Sequence, residues 1–422
     1  MAKIQNILTM QKRELEKTLR AHYIRRDIQL PAPDKDIIKV IIGPRRSGKS
    51  FFTIHELNKV GTYGYANFDD EALVEVDDYN DIIETIQALY QKTDVIFLDE
   101  IQNLPKWELF VNRLQRQGYC LVVTGSNSRL LSRELASHLT GRYLPALVFP
   151  FSFKEYLRYY YPGDVTTSEI KTKLSDYLQS GGFPEPLVKD LNLKQYLSTL
   201  HDSVIFKDII KRHKIRASRG IAELSRYLLS NPGALVSYRN LAKICKVKSE
   251  HTITKYLGHL EEAFLFFQVT AFSFKVRNQV KAPKKIYAVD NGLITSLGFR
   301  VFDTLGVLYE NLAAIELKRR ELNGELEFYY YKTRQDYEVD FVIKQALEVT
   351  QLVQVSYNIT DEKTKSRETR ALVYASKELN CTKLMVITDD YEGEETVEWY
   401  GIKRKIRFIP LWRWLLLPDF TL

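Results

Sequence analysis

The sequence predicts an α/β chain organised around a doubly wound parallel sheet, and three apolar runs carry this prediction. Residues 37–42 are mostly β-branched and lead directly into a glycine-containing loop and a helix. Residues 95–98 and 119–123 are two further apolar runs that end in acidic or polar side chains. Strands buried on both faces read as continuous apolar runs. Their alternation with helices is typical of parallel sheets that present polar residues at the carboxyl edge.

The composition is that of a globular chain. Its 422 residues are 45% hydrophobic and 27% charged, which suits about two to four domains. Cys120, Cys245 and Cys381 lie far apart, which indicates a reducing compartment without disulfides or structural zinc. The first residues lack the apolar core of a signal peptide, and no run approaches the roughly 18 apolar residues of a membrane span. We therefore expect a cytoplasmic protein without a membrane segment.

A phosphate-binding loop follows the first strand. It reads Gly43, Pro44, Arg45, Arg46, Ser47, Gly48, Lys49 and Ser50, with Phe51 next. These residues match G-x-x-x-x-G-K-[ST] in the strand–loop–helix context of a P-loop, whose backbone N–H groups face phosphate oxygens. We expect Lys49 to contact the β- and γ-phosphates of ATP and the Ser50 hydroxyl to ligate Mg²⁺.

Two later strands supply further candidates at the same edge. The run 95–98 ends in Asp99, the expected Mg²⁺ carboxylate, and Glu100, the expected base or water-positioning residue. An ordinary strand with an acidic end is the alternative. The run 119–123 leads to Ser126 and Asn127, which are candidates for sensing the γ-phosphate or members of a simple polar turn.

Several motifs together resemble one family of proteins. They are GPRRSGKS (43–50), VIFLDE (95–100), VTGSNS (123–128), LTGRYLPALVFPFSFKEYL (139–157) and GGFPE (181–185). The chain is similar to AAA-type ATPases of archaea and anaerobic bacteria that carry a C-terminal domain of unknown function related to PD-(D/E)XK nucleases. The resemblance implies that Arg142 is an arginine finger or sensor, which would stabilise transition-state charge. A surface or salt-bridged arginine is the alternative.

The resemblance and the residue patterns together predict five segments. They are an N-terminal helix (1–30), a P-loop ATPase core (31–158), a helical lid (159–219), a winged helix-turn-helix (220–290) and a restriction-endonuclease-like α/β domain (291–422). The winged helix rests on a helix at 235–245 with Ser237 as its N-cap, a second helix at 250–264 and strands at 266–274 and 285–289.

Basic charge is concentrated around the predicted winged helix. Residues 204–285 hold 17 Lys and Arg against 5 Asp and Glu, a net charge of +12, whereas the whole chain is +8 and the remainder is therefore −4. A localised basic excess is the electrostatic footprint of nucleic-acid binding. We expect His251, Thr252, Thr254, Lys255 and His259 to be exposed on the second helix. A protein-binding spacer with a solvated basic face is the alternative.

The C-terminal segment has the α-β-β-β-α order that the resemblance implies for a nuclease core. Asp340 fits the first carboxylate, with Glu310 on the preceding helix. The second carboxylate position falls on Gln354 and the lysine position on Ser356. Because a neutral amide holds Mg²⁺ poorly and serine carries no charge, we expect a degenerate site that hydrolyses nothing.

The sequence therefore predicts an ATPase that uses ATP and Mg²⁺ and is coupled to DNA or to a protein partner. A DNA-binding switch that hydrolyses ATP slowly is the main alternative, and an ATP-dependent nuclease is less favoured. A homo-oligomer is compatible with the sequence but not required by it.

Overall fold

The computed structural model describes residues 2–126, 141–216, 218–247, 249–299 and 305–417. The chain forms two compact units. The first comprises Met1–Pro150 and Glu262–Phe264, and the second comprises Phe151–Glu261 and Leu265–Leu422. Within the described residues, none of the helices is both long and apolar enough to cross a bilayer.

A parallel sheet forms the centre of the first unit. In the described part of the unit its strands are β1 (Ile38–Ile42), β2 (Gly64–Asn67), β3 (Val95–Asp99), β4 (Cys120–Gly125) and β5 (Tyr143–Leu147), in the spatial order β2-β3-β4-β1-β5. The helices are α1 (Ala2–Arg20), α2 (Lys49–Val60), α3 (Glu71–Val74), α4 (Asn80–Leu89) and α5 (Trp107–Arg116), with a 3₁₀ turn at Ile101–Asn103. Every described pairing in this sheet is parallel. The α/β prediction for this region is confirmed.

The N-terminal helix packs on this unit through one apolar face. Ile4, Leu8 and Leu15 are buried in its core. The Gln11 side-chain amide donates to the Asn67 carbonyl at 3.0 Å and accepts from the Asn67 N–H at 2.9 Å. Since Asn67 lies on the edge strand β2, α1 covers backbone groups that would otherwise be open to another strand.

The second unit begins with a run of helices. They are α6 (Phe153–Tyr160), α7 (Thr167–Ser180), α8 (Pro184–Val188), α9 (Leu193–Ser203), a π-helical segment (Val204–Lys211) and α10 (Ser218–Ser230). The first two helices start in capping boxes, in which Ser152 pairs with Glu155 and Thr166 with Glu169.

The region of the predicted winged helix differs in detail from the prediction. Its elements are β6 (Leu235–Val236), α11 (Tyr238–Ile244), α12 (Glu250–Glu262), β7 (Phe266–Val269), α13 (Val276–Lys281), β8 (Lys284–Ala288) and α14 (Asn291–Leu297). The predicted helix at 235–245 is wrong at its start, because Leu235–Val236 pairs antiparallel with β8. Ser237 occupies the N-cap position without a side-chain cap hydrogen bond. The predicted strand at 266–274 ends at Val269.

A mixed sheet organises the C-terminal part of the second unit. Its elements are α15 (Leu305–Leu322), β9 (Glu327–Lys332), β10 (Glu338–Gln345), β11 (Glu348–Val355), α16 (Glu362–Glu378), β12 (Leu384–Thr388), β13 (Gly393–Trp399), β14 (Ile402–Pro410) and α17 (Leu411–Leu416). The strand order within the described residues is β13-β14-β12-β11-β10-β9. The predicted helix–three strands–helix order is present from α15 to α16.

Each of the three cysteines lies in a different part of the fold. Cys120 begins β4, Cys245 follows α11 and Cys381 precedes β12. All three side chains are buried and in the free thiol form. Burial raises the pKa of each thiol, as expected when a thiolate would lose solvent.

The GGFPE motif forms a close contact with a buried carboxylate. The Asp290 side chain accepts hydrogen bonds from the N–H groups of Gly182 at 2.7 Å and Gly292 at 2.8 Å. Gly181 adopts φ +69°, and a Cβ there would overlap with Asp290 Oδ1. A Cβ on Gly182 would overlap with the Phe151 carbonyl oxygen. The two glycines are therefore required where the chain between α7 and α8 meets the N-terminus of α14.

We predict that Gly181→Ala destabilises the protein by about 2 kcal/mol or more. The backbone at φ 69° and ψ −164° lies in a region essentially restricted to glycine, which costs another residue about 1–3 kcal/mol, and the overlap with Asp290 adds to that cost. Thermal or urea unfolding measures the effect. Gly163→Ala is the matched control, because a Cβ there meets nothing within 4 Å. Equal stabilities for the two variants would contradict this account of the motif.

Candidate functional site

Polar residues from three neighbouring strands meet at one edge of the parallel sheet. The loop 43–48 leaves β1, Asp99 ends β3, and Thr124 lies near the end of β4. The register pairs Ile42 with Gly125 and Leu98 with Val123. Because the strands are parallel and in this register, their carboxyl ends lie side by side.

Close backbone contacts fix the start of the loop. Gly43 has φ +150°, and a Cβ there would overlap with the Val148 carbonyl oxygen. The Val148 N–H also donates to the Ile42 carbonyl at 2.7 Å. Within the loop, Pro44 and Ser47 are buried, Arg45 is half-buried and Arg46 is exposed. Only glycine fits at Gly43 without displacing the chain that follows β5.

Arg26 connects the loop with the segment that follows β5. Its guanidinium donates to the Ser47 carbonyl at 3.1 Å and to the Phe149 carbonyl at 2.5 Å, and the residue is only 6% exposed. Arg26 was not predicted from the sequence, because a residue outside helices and strands belongs to no repeating pattern of apolar and polar residues. A basic side chain shortly before a P-loop strand is the available sequence clue.

Lys49 points back into the loop. Its Nζ donates to the Pro44 carbonyl at 3.0 Å and lies 3.9 Å from Glu100 Oε1. The side chain is 3% exposed. The ammonium therefore lies between a loop carbonyl and a carboxylate, at the amino end of α2.

Asp99 is the buried acceptor of three hydroxyl groups. Oδ1 accepts from Ser50 Oγ at 2.9 Å and from Thr124 Oγ1, and Oδ2 accepts from Tyr65 Oη at 3.2 Å. The residue is 1% exposed. Burial, with the neighbouring Glu100 charge, raises the pKa of Asp99 to about 6, although the hydrogen bonds from Thr124 and Ser50 oppose the shift.

Glu100 adopts an uncommon backbone conformation. Its φ of 51° and ψ of 42° lie in the left-handed region, which few non-glycine residues occupy and which is concentrated at functional sites. Its N–H donates to Thr124 Oγ1 at 2.9 Å, and its carboxylate accepts from Gln102 Nε2 at 2.5 Å. The turn directs the Glu100 side chain toward Lys49.

Two buried serine hydroxyls at this edge find no hydrogen-bond partner among the described residues. They belong to Ser47 and Ser126, which are 0% and 3% exposed. Buried polar groups are almost always hydrogen-bonded, so an unpaired one indicates a missing partner. Asn127, the other predicted residue after β4, lies outside the described residues.

Phe51 belongs to an aromatic cluster on the outer side of α2. It is half-buried, and its ring lies 4.6 Å from the His55 ring. His55 in turn stacks on Tyr23 at 4.3 Å and 3°, and the Tyr23 hydroxyl donates to Glu56 at 2.8 Å. Like Arg26, Tyr23 belongs to the segment between α1 and β1.

Arg142 does not join the other predicted residues. It is exposed and immediately precedes β5, where its carbonyl accepts from the Ile38 N–H at 3.0 Å. Ile38 begins β1, whereas the loop follows the end of β1. Five strand residues separate the two edges by roughly 16 Å. In this conformation Arg142 cannot reach the P-loop of its own chain, which excludes a cis role there.

The second unit brings the predicted C-terminal residues to one cavity. Glu310, Asp340, Gln354 and Ser356 all line it. The lysine position of the motif falls on Ser356, as the sequence indicates, and a lysine outside the motif, Lys285, reaches the cluster from β8. The sequence analysis counted Lys285 within the basic stretch, but its side chain is 2% exposed. Glu368, from α16, was also missed.

The chain resembles known proteins along most of its length. A family model described as an AAA domain matches residues 35–157. Two models described as domains of unknown function, DUF8612 and DUF4143, match residues 171–304 and 305–414. Uncharacterized protein MJ1544 of Methanocaldococcus jannaschii is 34% identical over 95% of this chain and 93% of its own length.

A bacterial relative shows similar coverage. An uncharacterized protein of Haemophilus influenzae is 32% identical over 89% of this chain and 94% of its own. Among solved structures, the Walker-type ATPase paby2304 of Pyrococcus abyssi aligns with 68% of this chain and 94% of its own, at 15% identity and a TM-score of 0.40. That score is too low to establish a shared fold.

We predict that Asp99→Asn raises the thermal unfolding midpoint of the nucleotide-free protein at pH 8. The folded carboxyl has a pKa of about 6, against about 3.9 when unfolded. The folded state therefore binds more protons between these values, and its stability falls as pH rises from about 4 to 6. The fully ionised group then costs about 3 kcal/mol. Asparagine removes this charge and still accepts from Ser50 and Thr124.

The stability gain of Asp99→Asn should shrink toward pH 4, where the folded carboxyl is protonated and no longer carries the buried charge. Asp94→Asn, at the exposed start of the same strand, is the matched control and should show no such gain. A difference between Asp99→Asn and the parent that stays constant from pH 4 to pH 8 would contradict the assigned ionisation.

Proposed function

Because this chain belongs to the same family as uncharacterized protein MJ1544 and its residues 35–157 are an AAA domain, we propose that it binds ATP with Mg²⁺ and hydrolyses it. One observation carries the proposal. Lys49, Ser50, Asp99 and Glu100 lie together at one edge of a parallel sheet and are joined by short contacts. This set provides an ammonium, a hydroxyl, a metal-binding carboxylate and a second carboxylate, which phosphoryl transfer to water requires.

The residues present fit a bound phosphate chain. A Cβ on Gly43 would overlap with the Val148 carbonyl oxygen, so the loop needs glycine at this position. The buried Ser47 hydroxyl has no hydrogen-bond partner among the described residues. The amino end of α2 adds backbone N–H groups and a favourable dipole. Pro44, Arg45, Arg46, Gly48 and Phe51 complete the proposed nucleotide contacts. Ser126 contributes a second buried hydroxyl beside the loop, in the proposed role of γ-phosphate sensor.

Each member of the set has a separate role in the proposal. The Lys49 ammonium exchanges the Pro44 carbonyl for the β- and γ-phosphate oxygens. Ser50 and Asp99 would hold Mg²⁺, which when bound would supply a Lewis acid to the phosphate oxygens. Thr124 and Tyr65 keep the Asp99 carboxylate in place, since each donates a hydroxyl hydrogen to it.

Glu100 is the proposed base. Its left-handed backbone turns the carboxylate out of the strand direction, and Gln102 holds one carboxylate oxygen. In the nucleotide-free state the other oxygen faces Lys49 at 3.9 Å. When Lys49 moves to phosphate, that oxygen is released to orient a water molecule and accept its proton.

Arg142 enters the proposal only as a residue that acts between subunits. In this conformation it lies at the amino edge of the sheet, away from the proposed nucleotide site of its own chain, so the proposed finger would act on a second copy of this chain. The finger role therefore requires an oligomer, whereas an oligomer does not require the finger. A regulatory switch that binds ATP but turns it over slowly uses the same residues and is separated from an active ATPase by measured turnover.

We predict that Lys49→Ala abolishes ATP binding or hydrolysis, because the β/γ-phosphate charge loses its partner. Glu100→Gln should keep ATP binding, while turnover falls by roughly 10²–10⁴, the usual effect of losing a positioned base. Binding is measured by titration with a fluorescent ATP analogue, and turnover by phosphate release.

Two substitutions serve as matched controls for this test. Lys59→Ala removes an exposed lysine from the far end of the same helix, and Glu84→Gln changes an exposed carboxylate on α4. Both should retain parent activity. Parent-level turnover in Glu100→Gln would reject Glu100 as the base, and ATP binding and turnover at parent level in Lys49→Ala would reject the nucleotide site itself.

A DNA-binding function is the second proposal, and exposed basic side chains favour it. Seven basic residues among the described positions of 238–281 are solvent-exposed: Arg239, Lys243, Lys246, Lys255, Lys275, Arg277 and Lys281. The proposed winged helix would present Lys255 on its recognition helix, α12. The prediction that His259 is exposed on this helix is wrong, because the residue is half-buried and its ring stacks on His213 at 3.8 Å. Lys248 lies outside the described residues.

We predict salt-dependent binding of duplex DNA. If about four phosphates are neutralised, the slope of log K against log[salt] is about −3.6, and Lys255→Glu should weaken binding and flatten the slope by about 0.9. Fluorescence anisotropy over a range of salt concentrations measures both. Lys377→Glu, the same charge reversal at an exposed position near the end of α16, is the control. Absent or salt-independent binding would leave a protein partner as the ligand of this surface.

A further inference from the structure

Lys285 is a buried cation surrounded by carboxylates. Its Nζ lies 2.7 Å from Glu338 Oε1, 2.9 Å from Glu310 Oε1 and 3.2 Å from Asp340 Oδ1. An ammonium group carries three N–H donors, so each donor has a carboxylate acceptor. The side chain is 2% exposed, which makes the arrangement an internal ion cluster and not a surface salt bridge.

The cluster joins elements that are distant in the sequence. Lys285 lies on β8, which pairs with β6 and β7. Glu310 lies on α15, and Glu338 and Asp340 lie on β10. Among the described residues, the Lys285 ammonium therefore connects the three-stranded sheet of β6, β8 and β7 with the C-terminal mixed sheet.

Two of the carboxylates accept further hydrogen bonds from within the chain. The Tyr287 hydroxyl donates to Glu310 Oε1 at 2.7 Å, and the Val355 N–H donates to Asp340 Oδ2 at 3.0 Å. With Lys285 on Oδ1, both Asp340 oxygens have a donor. These carboxylates are oriented toward donors of the protein itself.

The cluster forms one wall of a cavity of about 610 Å³. Behind Asp340, the Gln354 side chain accepts from the Asp340 N–H at 3.2 Å and donates to Glu368 Oε2 at 2.6 Å. Arg367 donates to the other oxygen of Glu368. The charged groups that line the cavity are Glu310, Asp336, Glu338, Asp340, Glu368 and Arg367. Lys285 contacts three of these carboxylates from β8.

Local electrostatics keep Lys285 charged. Burial opposes the ammonium, but Glu310, Tyr287, Asp340 and Glu338 outweigh it and hold the pKa of Lys285 above its ordinary value. Burial and the Glu310 charge raise the pKa of Asp340 to about 7, although Lys285 opposes the shift. Removing the ammonium would leave several carboxylates close together without a cation.

We propose that Lys285 is the resident cation of this cavity and that its ammonium excludes divalent metal ions from Glu310, Glu338 and Asp340. A hard divalent ion takes six or more oxygen ligands at about 2.0–2.6 Å. One oxygen of each of the three carboxylates is already in contact with Nζ. A divalent ion placed among them would also be repelled by the positive charge a few ångströms away.

Because Lys285 is part of the chain, its ammonium cannot diffuse away from the carboxylates as a free metal ion can. Lys285 can leave the carboxylates only if β8 moves or if its side chain withdraws into the sheet. The neighbouring residues of β8 are held by pairing with both β6 and β7. Access of a metal ion to the cavity is therefore linked to the position of the segment that carries the exposed basic residues.

The test replaces the ammonium with an uncharged side chain of similar length. Full-length Lys285→Met, without nucleotide, should bind one Mn²⁺ at least tenfold more tightly than the parent at this cavity, as measured by calorimetry and Mn²⁺ electron paramagnetic resonance. Adding Asp340→Asn to this variant should remove the gain. Lys284→Met changes the preceding lysine, which is half-buried, and should retain the weak binding of the parent.

Thermal unfolding provides the second readout. Mn²⁺ should raise the unfolding midpoint of Lys285→Met and leave that of the parent unchanged, because the metal replaces the lost cation. If Lys285→Met does not fold, Lys285→Met with Glu338→Gln lowers the charge imbalance and retains two carboxylates. The same gain in Mn²⁺ affinity is expected from it.

Two results would overturn the proposal. Tight Mn²⁺ binding by the parent that Asp340→Asn abolishes would show that the ammonium does not exclude the metal. A folded Lys285 variant that gains no Mn²⁺ affinity would show that the carboxylates are not a latent metal site. Neither result depends on ATP turnover, so the proposed nucleotide chemistry is tested separately.

Discussion

Parallel hydrogen-bond register is the constraint on which the nucleotide site depends. Ile42 pairs with Gly125 and Leu98 pairs with Val123, so the loop after β1 and Asp99 at the end of β3 flank Thr124. A shift of one residue in a strand would turn its side chains to the opposite face. The hydroxyl of Thr124 would then lose its contacts with Asp99 and with the Glu100 N–H. The positions of the polar side chains at this carboxyl edge therefore depend on the register of the strands.

Local patterns predicted the parts of the molecule that local forces determine. The three apolar runs at 37–42, 95–98 and 119–123 differ by one or two residues from the observed strands β1, β3 and β4. Lys49, Ser50, Asp99 and Glu100 were found because motif spacing and strand ends are sequence features. Arg26, Lys285 and Glu368 were missed because each acts through contacts with distant segments. The strand at Leu235–Val236 likewise exists through pairing with β8, which overrides local helix propensity.

The basic excess in the sequence is real, but not all of its charges lie at the surface. The stretch 204–285 carries +12, yet Lys285 is buried among carboxylates and contributes nothing to a surface field. Conversely, the basic residues at 275–281 are exposed beside Phe274 and Val276, which are 77% and 71% exposed. The electrostatic surface depends on which lysines fold inward, and burial next to acids is decided by tertiary structure.

The three buried thiols can report local opening of the structure around them. Cys120, Cys245 and Cys381 fall one each within the segments 35–157, 171–304 and 305–414 that match separate family models. Because each thiol is buried, a reagent can modify it only after the surrounding structure opens. The rates at which the three sites are labelled therefore rank the local stabilities of these segments in one unaltered chain. The same chain with and without ATP reveals which segment the nucleotide tightens.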